Sequence, residues 1–150
     1  MKQNQQRRTK KKQSGFLGLG VVEIIAIIAG VLALGSLIVY PAIKNFNENT
    51  EATKIISGLA IINEAVAATD YGTVSNYTGL AWSDLPNFLP VGFLQRAANG
   101  SNYDVAVNTD TTKFDTSITI SNARVLDRVK AKYTPTQYTV TGSKFTVTGP

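Results

Sequence analysis

One carboxylate stands among residues that argue against it. In the stretch SGFLGLGVVEII, from Ser14 to Ile25, the glycines Gly15, Gly18 and Gly20 precede Glu23, the one charged residue between Leu19 and Tyr40. An acid at the centre of a membrane-spanning helix costs about 2.5–3.5 kcal/mol, and less near an end. Such a group is either an interfacial carboxylate that water tolerates or half of a pair. An ionisable side chain inside a membrane is a site of function by default. Ion pairing is therefore the chemistry open to Glu23. The rest of the chain offers little else. It has no cysteine and no histidine, which removes thiolate nucleophiles, Cys/His metal sites, disulfides and histidine acid–base catalysis. Asp110 and Asp115 sit in a Thr-rich turn and read as solubilising. Asp104, Asp110 and Asp115 match no standard calcium loop, and no glycine-rich phosphate loop follows a strand. The sequence reads as that of a protein that is not an enzyme and takes no cofactor or metal.

The element that must position Glu23 is the apolar run itself. From Leu19 to Tyr40 it covers about 33 Å as a helix, enough to span a bilayer core. Lys2, Arg7, Arg8, Lys10, Lys11 and Lys12 precede it with no acid among residues 1–18. These six cations should stay cytoplasmic, and the chain beyond the run should face the other side. The formal charge of +5 belongs to this basic, low-complexity start, since residues 19–150 hold nine basic and ten acidic residues. A nucleic-acid partner, which would need a basic face on the folded part, is not expected.

The motif GLGVVE, with a basic leader before it and about twenty apolar residues after it, resembles the prepilin signal of type IV pilins. The resemblance implies that a prepilin peptidase cuts after Gly18 and methylates the new amino terminus at Leu19. Glu23 then becomes the fifth residue, where that family has a glutamate. A cut after Gly15 would place the acid eighth, and a cut after Gly20 third, so Gly18 alone gives the spacing. An 18-residue leader and a first residue other than Phe resemble the type IVb branch. The spacing has a physical reading: an α-amine and a carboxylate four residues on share one side of a helix, and an acid in the first turn suits the helix dipole. The resemblance implies that, where subunits stack, Glu23 of one can meet the Leu19 amine of its neighbour. A secretory signal with a cut near Gly35 fits less well, because the acid interrupts the apolar core and the run continues through SLIVYPAI.

The helix should continue beyond Pro41 to about Ala68 as an amphipathic segment. Ile43, Phe46, Ile55, Ile56, Leu59, Ile62 and Val66 form its apolar stripe, and Lys44, Glu48, Glu51, Lys54 and Glu64 its polar surface. TDYGTVSNYTG reads as a loop. Ser83 can cap a short turn, with Leu85, Phe88 and Leu89 as packing anchors and Trp82 as a packing residue. Alternation predicts strands carrying Tyr103, Val105 and Val107, then Phe114, Ile118 and Ile120, with a turn over Asn108–Thr112. Val125, Leu126, Val129 and Tyr133 mark a helix that starts at Ser121-Asn122. Its Arg128, Lys130 and Lys132 read as a solvated basic end. Gly142-Ser143 fits a type II′ hairpin pairing Val140 with Phe145 and Tyr138 with Val147 on one face.

The expected organisation is a leader over residues 1–18, a long helix over 19–68 and a head over 69–150, an α+β chain. This order resembles the α/β-roll type IV pilin fold, including the thin-pilus pilins of conjugative plasmids, although the disulfide common in type IVb heads is missing. The resemblance implies a pilus subunit precursor. It would be inserted in the inner membrane, processed by a prepilin peptidase, handled by inner-membrane assembly machinery and built into a homo-oligomeric extracellular filament for conjugation, adhesion or aggregation. A minor pilin or secretion pseudopilin is the alternative within the family. A static single-span membrane protein is the alternative outside it.

Overall fold

The computed structural model describes residues 21–150. Its first element is a helix, α1, over Val21–Ala68, with Pro41 inside it. The chain divides into two units at Ala42 and Ile43. In the first, α1 exposes large apolar side chains, as at Leu32, Leu37 and Ile38. The helix is long and apolar enough to cross a membrane, and none of its most apolar window is buried.

The second unit, from Ile43 onward, is α+β. The remainder of α1 is followed by a short helix, α2 (Asp70–Val74), and a 3-10 turn at Trp82–Asp84. A hairpin of β1 (Tyr103–Val107) and β2 (Phe114–Thr119) comes next, then α3 (Ala123–Lys130), then a second hairpin of β3 (Tyr138–Thr141) and β4 (Lys144–Gly149). The four strands form one antiparallel sheet in the order β1-β2-β4-β3. The segment expected to be a loop after α1 is helical at its start. Thr69, buried, caps α2 by accepting the Gly72 N–H on its hydroxyl.

The core joins Ala52, Ile55, Leu59, Ile62 and Val66 of α1 to Tyr103, Val105, Phe114, Ile118, Phe145 and Val147 of the sheet and to Val125 and Val129 of α3. Fully burying a large apolar side chain contributes about 1.5–3 kcal/mol. The expected stripe holds from Ile55 to Val66, but Ile43 and Phe46 are exposed, at 53% and 69%. Run backwards, the buried stripe passes through Ala52 to Glu48. At about 100° per residue, Phe46 lies about 160° and Ile43 about 140° around the helix from Glu48. Both belong to the opposite side. Glu48, expected on the polar surface, is buried at 4%.

Two close approaches fix the layers. A Cβ at Gly58 would overlap the Tyr103 hydroxyl, and one at Gly149 the Phe114 ring. A polar tie adds to them: the Thr116 hydroxyl on β2 donates to Asn63 Oδ1 on α1 at 2.8 Å. Of the expected anchors after the 3-10 turn, Leu85 is buried, Leu89 and Trp82 pack against the core partly buried, and Phe88 stays 43% exposed. The turn itself is closed by Asp84, whose Oδ2 accepts the Ala81 N–H at 2.9 Å, and not by Ser83.

The second hairpin has the expected register, Tyr138 opposite Val147 and Val140 opposite Phe145. Gly142 has φ +61° and Ser143 is not left-handed, as a type II′ turn requires. Phe145 and Val147 are buried, and Tyr138 stacks on Phe145 with ring centroids 5.2 Å apart. Val140 is 37% exposed, because β3 is the edge strand with nothing beyond it. Burial therefore grades the cost of a charge here. Val147→Asp should cost upwards of about 3 kcal/mol, Val140→Asp about 1 kcal/mol, and Thr139→Asp within about 0.5 kcal/mol. Thermal unfolding of the detergent-solubilised chain measures this, and equal losses at Thr139 and Val147 would refute the register.

Candidate functional site

The residues singled out by the sequence fall at the start of the chain. Gly18 and Leu19 lie outside the described residues. Glu23 falls within the α1 backbone, and Pro41, which has no N–H to donate, lies inside the same helix. Among the described residues no group of three acids, histidines or cysteines is placed to hold a metal. Asp104 faces Lys144 at 4.0 Å, Asp110 faces Lys113 at 3.5 Å, and Asp115 accepts hydrogen bonds from Asn108 and Thr148. The three acids considered for calcium thus have separate protein partners. Tyr103 is one of two tyrosines buried in the core, the other being Tyr77. Burial pushes its pKa up to about 12, with the Tyr133 charge adding to the rise. Tyr103 stays protonated and neutral at physiological pH.

The structure does assemble one charged cluster that the sequence did not announce. Glu48 Oε2 lies 3.5 Å from Arg128 Nη2 and 4.0 Å from Arg124 Nη1. Neither carboxylate oxygen has a hydrogen-bond partner among the described residues. Arg128 also donates from Nη1 to the Asn45 carbonyl at 2.9 Å and from Nη2 to Asn45 Oδ1 at 3.3 Å. Its planar fork therefore bridges Asn45 and Glu48, neighbouring positions of α1, in a geometry open to a guanidinium and closed to an ammonium.

Local structure explains why the arginines arrive there. Asn122 caps α3 by accepting the Arg124 and Val125 N–H groups on Oδ1. Val125 and Val129 bury against the core, which sets the rotation of α3. Arg124 and Arg128, four residues apart, then share a side. The basic end of α3 is thus not simply solvated. Arg128 is committed to α1, and Lys130 pairs with Asp127 at 2.9 Å.

Chemically the arrangement can pair charges and hold α3 on α1, and it offers no nucleophile or proton relay. A signal for it existed in the sequence: Glu48 is in phase with Ala52, Ile55 and Leu59. That phase is visible only when the stripe is read backwards from its best-defined stretch. Comparison with family models, with curated proteins and with solved structures finds no match to this chain.

Proposed function

We propose that this chain is the precursor of a type IV pilus subunit, cut after Gly18, methylated at Leu19 and assembled through its apolar helix into a filament. One observation carries the reading. A single helix is apolar and exposed in its first part and, from Ala52 on, buries a stripe against an antiparallel sheet. An exposed apolar face of that size calls for lipid or for copies of itself. A static anchor would meet the first need but would leave the acid at position 23 without a use. With Gly18 as the last leader residue, the same acid lies four residues from a new α-amine. In this reading the α+β unit forms the outer surface of the filament, and the pilus carries cell contact in conjugation, adhesion or aggregation. The partners are further copies of the chain, a prepilin peptidase and an inner-membrane assembly machine.

Amino-terminal sequencing and intact mass of the protein from its own cells test the reading. The mature chain should begin at Leu19 and carry one added methyl. Gly18→Glu should abolish processing, because a large charged side chain replaces the small one at the scissile bond. A mature chain starting at Phe16 or Ser36, or one that keeps its first 18 residues, would refute the assignment.

A further inference from the structure

Two hollows in the unit from Ile43 onward carry opposite charge. The first, about 460 Å³, lies between α1 and the loop before β1, and its lining includes Lys54, Ser57, Leu94 and Arg96. The second, about 540 Å³, lies where α1 gives way to α2, and its lining includes Asp70, Ser83, Asp84 and Phe88. Lys54, Arg96, Asp70 and Asp84 take no part in the ion pairs formed among the described residues. Arg96 is held in place by its Nε, which donates to the Gly100 carbonyl at 3.0 Å, and its terminal nitrogens remain to meet another group. Asp84 engages Oδ2 with the Ala81 N–H and keeps its other oxygen free. The chain between the hollows exposes large apolar side chains: Phe88 at 43%, Leu94 at 70% and Val91 at 108%. Lys54 and Arg96 line one hollow, Asp70 and Asp84 the other, and the chain between them exposes an apolar ridge at Phe88, Val91 and Leu94.

We propose that the two hollows are the two sides of one contact between copies of this chain. Lys54 and Arg96 of one copy meet Asp70 and Asp84 of the next, and Val91 and Leu94 are covered in the joint. The occupant is a second copy because each hollow carries two unpaired charges and the chain itself holds the two opposite ones. Exposed pairs are weak singly, so they fix register while the ridge supplies the adhesion. The contact must be head-to-tail. Lys54 and the end of α1 at Ala68 are roughly 20 Å apart along the helix. A two-fold pairing would set the two α1 helices antiparallel, which chains entering from one membrane do not allow. A head-to-tail contact leaves both hollows free at the ends and repeats without closing. The inference rests on the filament-subunit reading and names the surface that reading leaves open.

The absence of native cysteine makes the contact directly testable in full-length chains. Cells co-express one chain carrying Arg96→Cys and another carrying Asp84→Cys, and sheared filaments are treated with a short bis-maleimide. A mixed cross-linked dimer is expected, with no dimer from either variant alone. In parallel, Lys54→Glu with Arg96→Glu should lower filament yield at least about tenfold, as should Asp70→Lys with Asp84→Lys, a loss near 1.4 kcal/mol per contact. All four changes in one chain should restore most of the yield. Filaments that form normally but give no mixed dimer overturn this contact alone, as do charge reversals without effect. If the unsubstituted chain forms no filaments, the filament reading falls and this contact falls with it.

Discussion

Arg128→Ala should cost the folded chain about 3 kcal/mol, and Glu48→Met should cost much less. The asymmetry follows from burial. Glu48 is 4% exposed, and Arg128 is its nearer cation, at 3.5 Å against 4.0 Å for Arg124. Removing Arg128 leaves a buried carboxylate with one more distant, largely exposed guanidinium. Removing the carboxylate leaves Arg128 still bonded to Asn45 and able to reach water. An apolar pair of similar volume, Glu48→Met with Arg128→Leu, should come back to within about 1 kcal/mol of the original, since buried pairs are often replaceable by packing. Denaturant or thermal unfolding of the four chains gives the cycle, with a Tm drop on the order of 10 °C expected for Arg128→Ala. A larger loss for Glu48→Met than for Arg128→Ala would show that the carboxylate is not the group in need of compensation.

That cluster also marks where the sequence stopped being legible. Helix α1, the four strands, α3 and the hairpin register follow from periodicity, caps and turn residues, all of which act over a few neighbours. Ser121-Asn122 reads as a helix start because Asn122 caps within its own turn, and Gly142-Ser143 reads as a hairpin because the turn fixes its strands. Phase across a long helix is different. The eight residues between Phe46 and Ile55 can join two apolar patches that lie on opposite sides, which is why spacing alone puts Ile43 and Phe46 on the wrong one. Residue type alone puts Glu48 in solvent. Its burial depends on two arginines some 80 positions later, and that pairing has no local signature. Thr69 hid α2 in the same way: a Thr–Asp start reads as a loop until the threonine hydroxyl is seen to cap the next turn. The proposed site at Gly18, Leu19 and Glu23 is the converse case: it rests on motif and spacing alone, and Gly18 and Leu19 lie outside the described residues.

Glu23→Ala should leave insertion and leader removal nearly intact and should abolish filaments. In the membrane the carboxylate is a liability, so its loss makes the apolar run easier to insert. In the proposed reading the cut is set by Gly18 and the leader, which Ala at position 23 does not alter. Assembly differs, because in the proposed filament Glu23 of one subunit faces the Leu19 α-amine of another inside an apolar bundle. Removing one member of a buried pair costs roughly 3–5 kcal/mol, which is a factor of roughly 10² to 10³ or more at each added subunit. Loss of that size recurs along the filament, so yield should fall below detection and not merely decline. Glu23→Gln keeps the shape and a hydrogen-bonding oxygen but leaves the amine's charge uncompensated, so it should also assemble poorly. Cleaved subunit in the membrane and subunit in the sheared fraction, measured side by side for each variant, separate the two effects. Normal filament yield from Glu23→Ala with normal cleavage would remove the pairing role and return Glu23 to a carboxylate that the interface simply tolerates.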